Sequence, residues 1–204
     1  MAERPVRATP LIGIRWAVAA IALQLSACAM QPRVHDAAPD DRQAAMLQAI
    51  HSQGEAGDWL VIRGVHATDN AVASLSNQPL SHAAVLDPER GVVIEAEGVG
   101  VHETPIADFV AKSRRLLLIK PEAATAATRP AAIARARGLV GKGYDFLGLA
   151  GVNVRDRYYC TELALTIYPL TRGSDPLPAV VPPGQLWHWG TIAFDSGPVS
   201  TPRE

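Results

Sequence analysis

The chain has 204 residues, 48% hydrophobic and 19% charged, with a net charge of −1. This balance excludes a disordered polyelectrolyte and gives no footing for nucleic acid, whose phosphates need a basic patch. Two cysteines are too few for a disulfide framework.

Residues 1–27 have the three parts of an export signal. Arg4, Arg7 and Arg15 carry positive charge. Trp16 to Leu25 form an apolar core too short to span a bilayer, and Ser26 and Ala27 lead into Cys28. Leu25-Ser26-Ala27-Cys28 resembles a bacterial lipobox, which implies that the Cys28 thiol is acylated and becomes the new N-terminus. Ala29 follows where an aspartate would signal retention at the inner membrane, so the expected location is the outer membrane, facing the periplasm. Residues 28–39 read as the lipid-anchored tether, 40–195 as one domain and 196–204 as a flexible tail.

Asp40 and Asp41 are placed to cap a helix to about Ser52, with Ala44, Leu47 and Ile50 (Met46 alongside) as its apolar face. Asp58 to Val65 reads as a strand and residues 66–80 as a polar loop carrying a solvated His66. Ser81 to Leu86 and Gly91 to Ala96 read as two antiparallel strands joined by Asp87-Pro88-Glu89-Arg90, with Pro88 at the second position of a type I turn. A four-residue loop at 87–90 pairs Leu86 with Gly91 and, counting outward, His82 with Glu95. Directly opposed residues share a face with Cβ atoms about 4.5–5.5 Å apart, within reach of an imidazole–carboxylate bond. Glu97 shares that face without the direct pairing. His102 competes as a base from a further strand at 99–103, where intervening glycines leave the register open.

A short helix follows Pro105, and Arg114 to Lys120 is an apolar strand with a solvated basic entry. Thr128 caps a helix running to about Val140. Tyr144 to Asn153 is a glycine-rich loop whose strip Phe146 to Ala150 is apolar. Tyr159-Cys160 opens a helix ending at Tyr168, before Pro169. Residues 176–184 form a proline-rich crossing. Leu186 to Phe194 reads as a last strand, with His188 in an aromatic cluster between Trp187 and Trp189.

With Cys28 used by the anchor, Cys160 is the remaining thiol and has no disulfide partner. In general, a thiol at a helix start beside an imidazolium is held more readily as thiolate, the attacking form. The imidazole in turn needs a third group on its other nitrogen. His82 and Glu95 are the candidates for those two roles, and backbone N–H groups at the helix start for an oxyanion site. The rival use of His82, His102, Glu95 and Cys160 as metal ligands lacks the short fixed spacings of zinc motifs, so no metal or cofactor is expected.

The blocks Gly57-Asp58, Ser81-His82 with Ile94-Glu95-Ala96, Gly143-Tyr144-Asp145, and Tyr159-Cys160-Thr161-Glu162-Leu163 together resemble the circularly permuted papain-like NlpC superfamily, and within it the YiiX/YebB-like cell-envelope hydrolases. The histidine strand precedes the cysteine, as in the permuted branch. The resemblance spans about residues 54–168. It implies an α+β domain with a small antiparallel sheet or half-barrel packed with helices. It also implies Cys160 as nucleophile, His82 as general base and Glu95 as orienting acid. Tyr144, Tyr159 and Glu162 fall in supporting or substrate-binding positions. Thr161 stands where serine is common. The expected activity is hydrolysis of an amide, with cell-wall peptides as the leading substrate class. Two other readings stay open: a lipid acyltransferase or thioesterase-like enzyme, and a non-catalytic envelope module that binds a ligand.

Overall fold

The computed structural model describes residues 31–169 and 177–197. In chain order its helices and strands are α1 (Asp40–Gln53), β1 (Trp59–Gly64), α2 (Ala67–Ser76), β2 (His82–Asp87), β3 (Val92–Glu97), β4 (Gly100–Pro105), α3 (Ile106–Ala111), β5 (Ser113–Pro121), α4 (Arg129–Leu139), β6 (Gly143–Tyr144), β7 (Arg157–Tyr158), α5 (Cys160–Thr166) and β8 (Gly190–Asp195). Residues 1–30, with the expected signal and lipobox, and residues 198–204 of the expected tail lie outside the described residues. No helix among the described residues is long and apolar enough to cross a membrane.

Six strands form an antiparallel sheet in the order β4-β3-β2-β1-β5-β8, and β6 and β7 make a small parallel pair. Alternation along each central strand feeds two apolar layers. Trp59, Val61, Val85, Ile94 and Ile119 pack with Ala132, Ala136 and Leu163 of α4 and α5. Leu60, Ile62, Leu86 and Leu118 pack instead with Met46 and Ile50 of α1 and Phe109 of α3. Because both faces are covered, β1 and β2 are buried at every position, which explains their near-continuous apolar sequence. The fold is α+β, as expected.

Several local expectations change. Residues 66–80 are no loop: Ala67–Ser76 is helical, started by an Asp69 carboxylate that accepts the His66 N–H at 3.1 Å. Polar composition hid it because Asp69 and Asn70 are buried structural residues. Asn70 exchanges hydrogen bonds with Val34 and accepts from Arg63. In α1 the buried stripe is Met46, Ala49 and Ile50, while Ala44 faces solvent. Residues 183–189 are a 3₁₀ segment, and the last strand starts only at Gly190. Arg115 is no solvated strand end but forks onto Asp195 of β8 (2.9 and 2.5 Å).

The segment expected as a tether lies against the domain. Val34 bonds Asn70, the Ala38 N–H donates to the Ser113 carbonyl at 2.9 Å, and the Pro32 carbonyl accepts from Arg63.

Gly100 shows how tightly β4 meets the turn before β6. Its φ is +107°, and a Cβ there would lie 2.4 Å from the Lys142 carbonyl oxygen, which accepts the Val101 N–H at 2.8 Å. A side chain thus meets both backbone strain and a clash with fixed backbone. Gly100→Ala is expected to cost at least ~2 kcal/mol, read as a lower urea midpoint at unchanged slope. An unchanged midpoint would mean the two segments are not in contact.

Candidate active site

The β2–β3 hairpin has a four-residue turn at Pro88–Gly91, one residue later than expected. Asp87 pairs with Val92 and Ala84, not His82, stands opposite Glu95. A shift of two residues preserves side-chain parity, so His82 and Glu95 still share a face as diagonal neighbours. Their side chains close the gap: His82 Nε2 lies 2.6 Å from Glu95 Oε2. Glu97 is further off, at 3.9 Å from the same nitrogen.

Cys160 is the first residue of α5, on the opposite side of the sheet, and is a free, buried cysteine. His82 begins β2, so its ring sits at the sheet's end, where the two layers meet. There it bonds Glu95 and lies near enough to Cys160 for that side chain to help raise its pKa. With Nε2 taken by the carboxylate, Nδ1 is the ring nitrogen without a carboxylate partner.

Burial alone would lower the His82 pKa. The bonds to Cys160 and Glu95, and the charges of both, outweigh burial and raise it to about 10. Burial likewise would raise the Glu95 pKa, but the bond and charge of His82, with help from Lys112 and Thr104, bring it down to about 2. By imidazole NMR, His82 is expected to stay protonated through neutral pH and to titrate near 10. In Glu95→Gln the midpoint should fall toward the ordinary 6.5. A wild-type midpoint near 6.5 would refute the arrangement.

Two members of the site were not foreseen. Lys112, just past α3, places Nζ 2.9 Å from Glu95 Oε1 and 2.7 Å from Glu97 Oε1. Thr104 Oγ1 donates to Glu95 Oε1 at 2.5 Å. Thr104 had a signal, since it shares a face with His102 by period two and His102 pairs with Glu95 across β3 and β4. Lys112 had none, because a helix separates it from the strands it joins. Burial would lower the Lys112 pKa, but the two carboxylates raise it.

The remaining candidates fall around this core. His102 Nε2 lies 3.7 Å from Glu95 and 3.6 Å from Glu97, and its Nδ1 is 3.1 Å from the Gly100 carbonyl. Tyr144 stacks edge-on against Phe146 at 4.7 Å. Its pKa is raised, by burial first and then by the charges of Cys160 and Glu97. Tyr159 is the buried N-cap residue of α5. Glu162 supports the same turn: it accepts the Tyr159 N–H at 3.3 Å and a bond from Asn153. Fully buried Asp145 holds the glycine-rich loop by accepting the N–H groups of Gly148 (2.8 Å) and Val154 (2.9 Å). His188 stacks on Trp187 at 3.9 Å between ring centroids, in the expected aromatic cluster.

His82, Glu95 and Glu97 each offer one ligand atom, all within 4.8 Å of one another. These residues do not fit a divalent cation. The Lys112 ammonium already bridges both carboxylates, and Nε2 already faces Glu95. A metal would have to displace one cation and break the pair that orients the imidazole.

A profile of permuted papain-like amidase enzymes of the YaeF/YiiX type matches residues 53–175. Among solved structures, the metalloprotein YiiX of Escherichia coli O157:H7 is 23% identical, with a TM-score of 0.48. The alignment covers 56% of this chain and spans 64% of the length of that one. No curated protein sequence matches the chain.

Proposed function

The chain belongs to the permuted papain-like amidase family, and from that premise we propose that it hydrolyses amide bonds through a Cys160–His82–Glu95 site. The observation that supports this most is the His82 ring held at 2.6 Å by Glu95, with Cys160 near enough to help raise its pKa. In the proposed reaction the proton already rests on the His82 ring, and the Cys160 sulfur, as thiolate beside that imidazolium, attacks the carbonyl carbon. Collapse of the tetrahedral species breaks the C–N bond, and the imidazolium gives its proton to the leaving amine. Water, deprotonated by the same ring, then adds to the thioester and releases the acid and the thiol. The first N–H groups of α5 have no partner within the helix and are suited to the oxyanion.

We place the enzyme in the bacterial envelope, held by an acyl group on Cys28 to the outer membrane and facing the periplasm. Peptidoglycan stem peptides and related amides are the proposed substrates. Two assays test this. A thiol-directed electrophile should modify Cys160, with the rate falling at least about tenfold in His82→Ala. Mass spectrometry of stem peptides should show a new amine terminus with wild type and none with Cys160→Ala. Equal labelling in His82→Ala would sink the mechanism, while labelling without peptide turnover would sink only the substrate class.

A further inference from the structure

The sheet end that carries His82 also receives the N-terminal chain. Gly64, Glu97, Gly100 and Ser113 lie at that end, by the pairings of β1 with β2 and β5 and of β3 with β4. Residues 31–38 run across it, from the Ala38 bond to Ser113, past Asn70 and Arg63, to Gln31, which bonds Asn77. Cys28 is three residues before Gln31. Three residues span at most about 11 Å, so an acyl group on Cys28 holds this end of the domain close to the bilayer.

The 146–152 loop, which meets the β3–β4 turn of this end through Phe146, exposes apolar side chains. Phe146, Leu147, Leu149 and Val152 are 63%, 57%, 45% and 56% exposed, and Val99 is 87% exposed in the β3–β4 turn. Phe146 lies against that turn: a Cβ on Gly98 would sit 3.9 Å from its ring. It also packs edge-on against Tyr144, with ring centroids 4.7 Å apart. The loop is stiffened from within by Asp145, so its apolar tip is presented rather than collapsed. Two exposed arginines follow the loop in the chain, Arg155 at 96% exposure, 3.8 Å from Asp156, and Arg157. Exposed apolar tips with nearby arginines have the composition of a surface that enters the interface of an anionic bilayer.

We propose that the loop at 146–152, with Val99, docks into the phospholipid surface that anchors the chain, so that the Cys160 site opens at the membrane rather than into bulk periplasm. This rests on acylation of Cys28. Docking sets where a substrate must present its amide: at the level of the headgroups.

The test uses the full acylated chain in vesicles of phosphatidylethanolamine and phosphatidylglycerol. With Cys160→Ser as background, an environment-sensitive fluorophore is attached at Leu149→Cys, or at Glu89→Cys in the turn at the other end of the sheet. Bromine-labelled phospholipid should quench the probe at 149 at least about threefold more than at 89. Phe146→Ser with Leu147→Ser should remove that difference while the chain still floats with the vesicles. Equal quenching at the two sites overturns the proposal. So does a blue shift at 149 that bromine leaves untouched, which would mean a second copy or the chain's own N-terminal segment covers the loop. Mass spectrometry separates the two readings. A chain without an acyl group on Cys28 refutes the anchor and docking with it, whereas an acylated chain with an unquenched Leu149 probe refutes docking alone.

Discussion

Cys160→Ala is expected to reduce amide turnover by ~10⁴-fold or more, with the fold intact. The size follows from what the proposed mechanism loses: the atom that would form the covalent bond and a group that helps raise the His82 pKa. Alanine at this position leaves only a small gap at the edge of the core, so the thermal midpoint should move by no more than a few degrees. Single-turnover kinetics on an activated amide measure the rate, and scanning calorimetry the fold. Residual turnover within about tenfold of wild type would show that another group carries the reaction. The same variant should lower the His82 titration midpoint, because the cysteine's bond and charge both help to raise it.

Glu95→Ala is expected to damage both activity and stability. Glu95 is fully buried and receives His82, Lys112 and Thr104. Its removal leaves the imidazole without its closest carboxylate and the Lys112 ammonium with Glu97 alone, a loss of about 3–5 kcal/mol by precedent for broken buried pairs. Turnover should fall by about 10²–10⁴-fold, since the ring loses the bond that sets its tautomer and orientation. Glu95→Gln separates the effects: it keeps an acceptor of the same shape and removes the charge.

Its pH dependence follows from two opposite shifts. Glu95 titrates at about 2 in the fold against 4.5 ordinarily, so its contribution is complete above about 4.5 and is lost as pH falls toward 2. His82 titrates at about 10 against 6.5, so its contribution is complete below about 6.5 and is lost as pH rises toward 10. The advantage of wild type over Glu95→Gln in urea should therefore peak between about pH 4.5 and 6.5 and shrink on both sides. A difference that keeps growing above pH 8 would contradict the assignment of His82.

The hairpin shows how far local pattern carries an argument. Turn composition gave a four-residue loop and placed it one residue early, which moved every pair by two. The His82–Glu95 contact survived because strand side chains alternate with period two and an even shift keeps the face. An odd shift would have destroyed it. Residues 66–80 show the opposite case: a composition of Ala, Asp, Asn and Ser reads as loop, yet forms a helix because Asp69 and Asn70 find buried partners far along the chain. Propensity is weak beside such bonds.

The sequence by itself determined the alternation that builds the sheet, the helix start at Cys160 and the histidine and carboxylate that share a strand face. Each of these is set by residues close together in the chain. Only the tertiary structure decided that the thiol, on the far side of the sheet, reaches His82 at the sheet's end, and that Lys112 balances Glu95 and Glu97. It alone also brought the N-terminal chain and the exposed apolar loop to that same end. Those placements depend on how strands separated by whole helices pair and how layers close over them, and no short-range periodicity encodes the distance between two such elements.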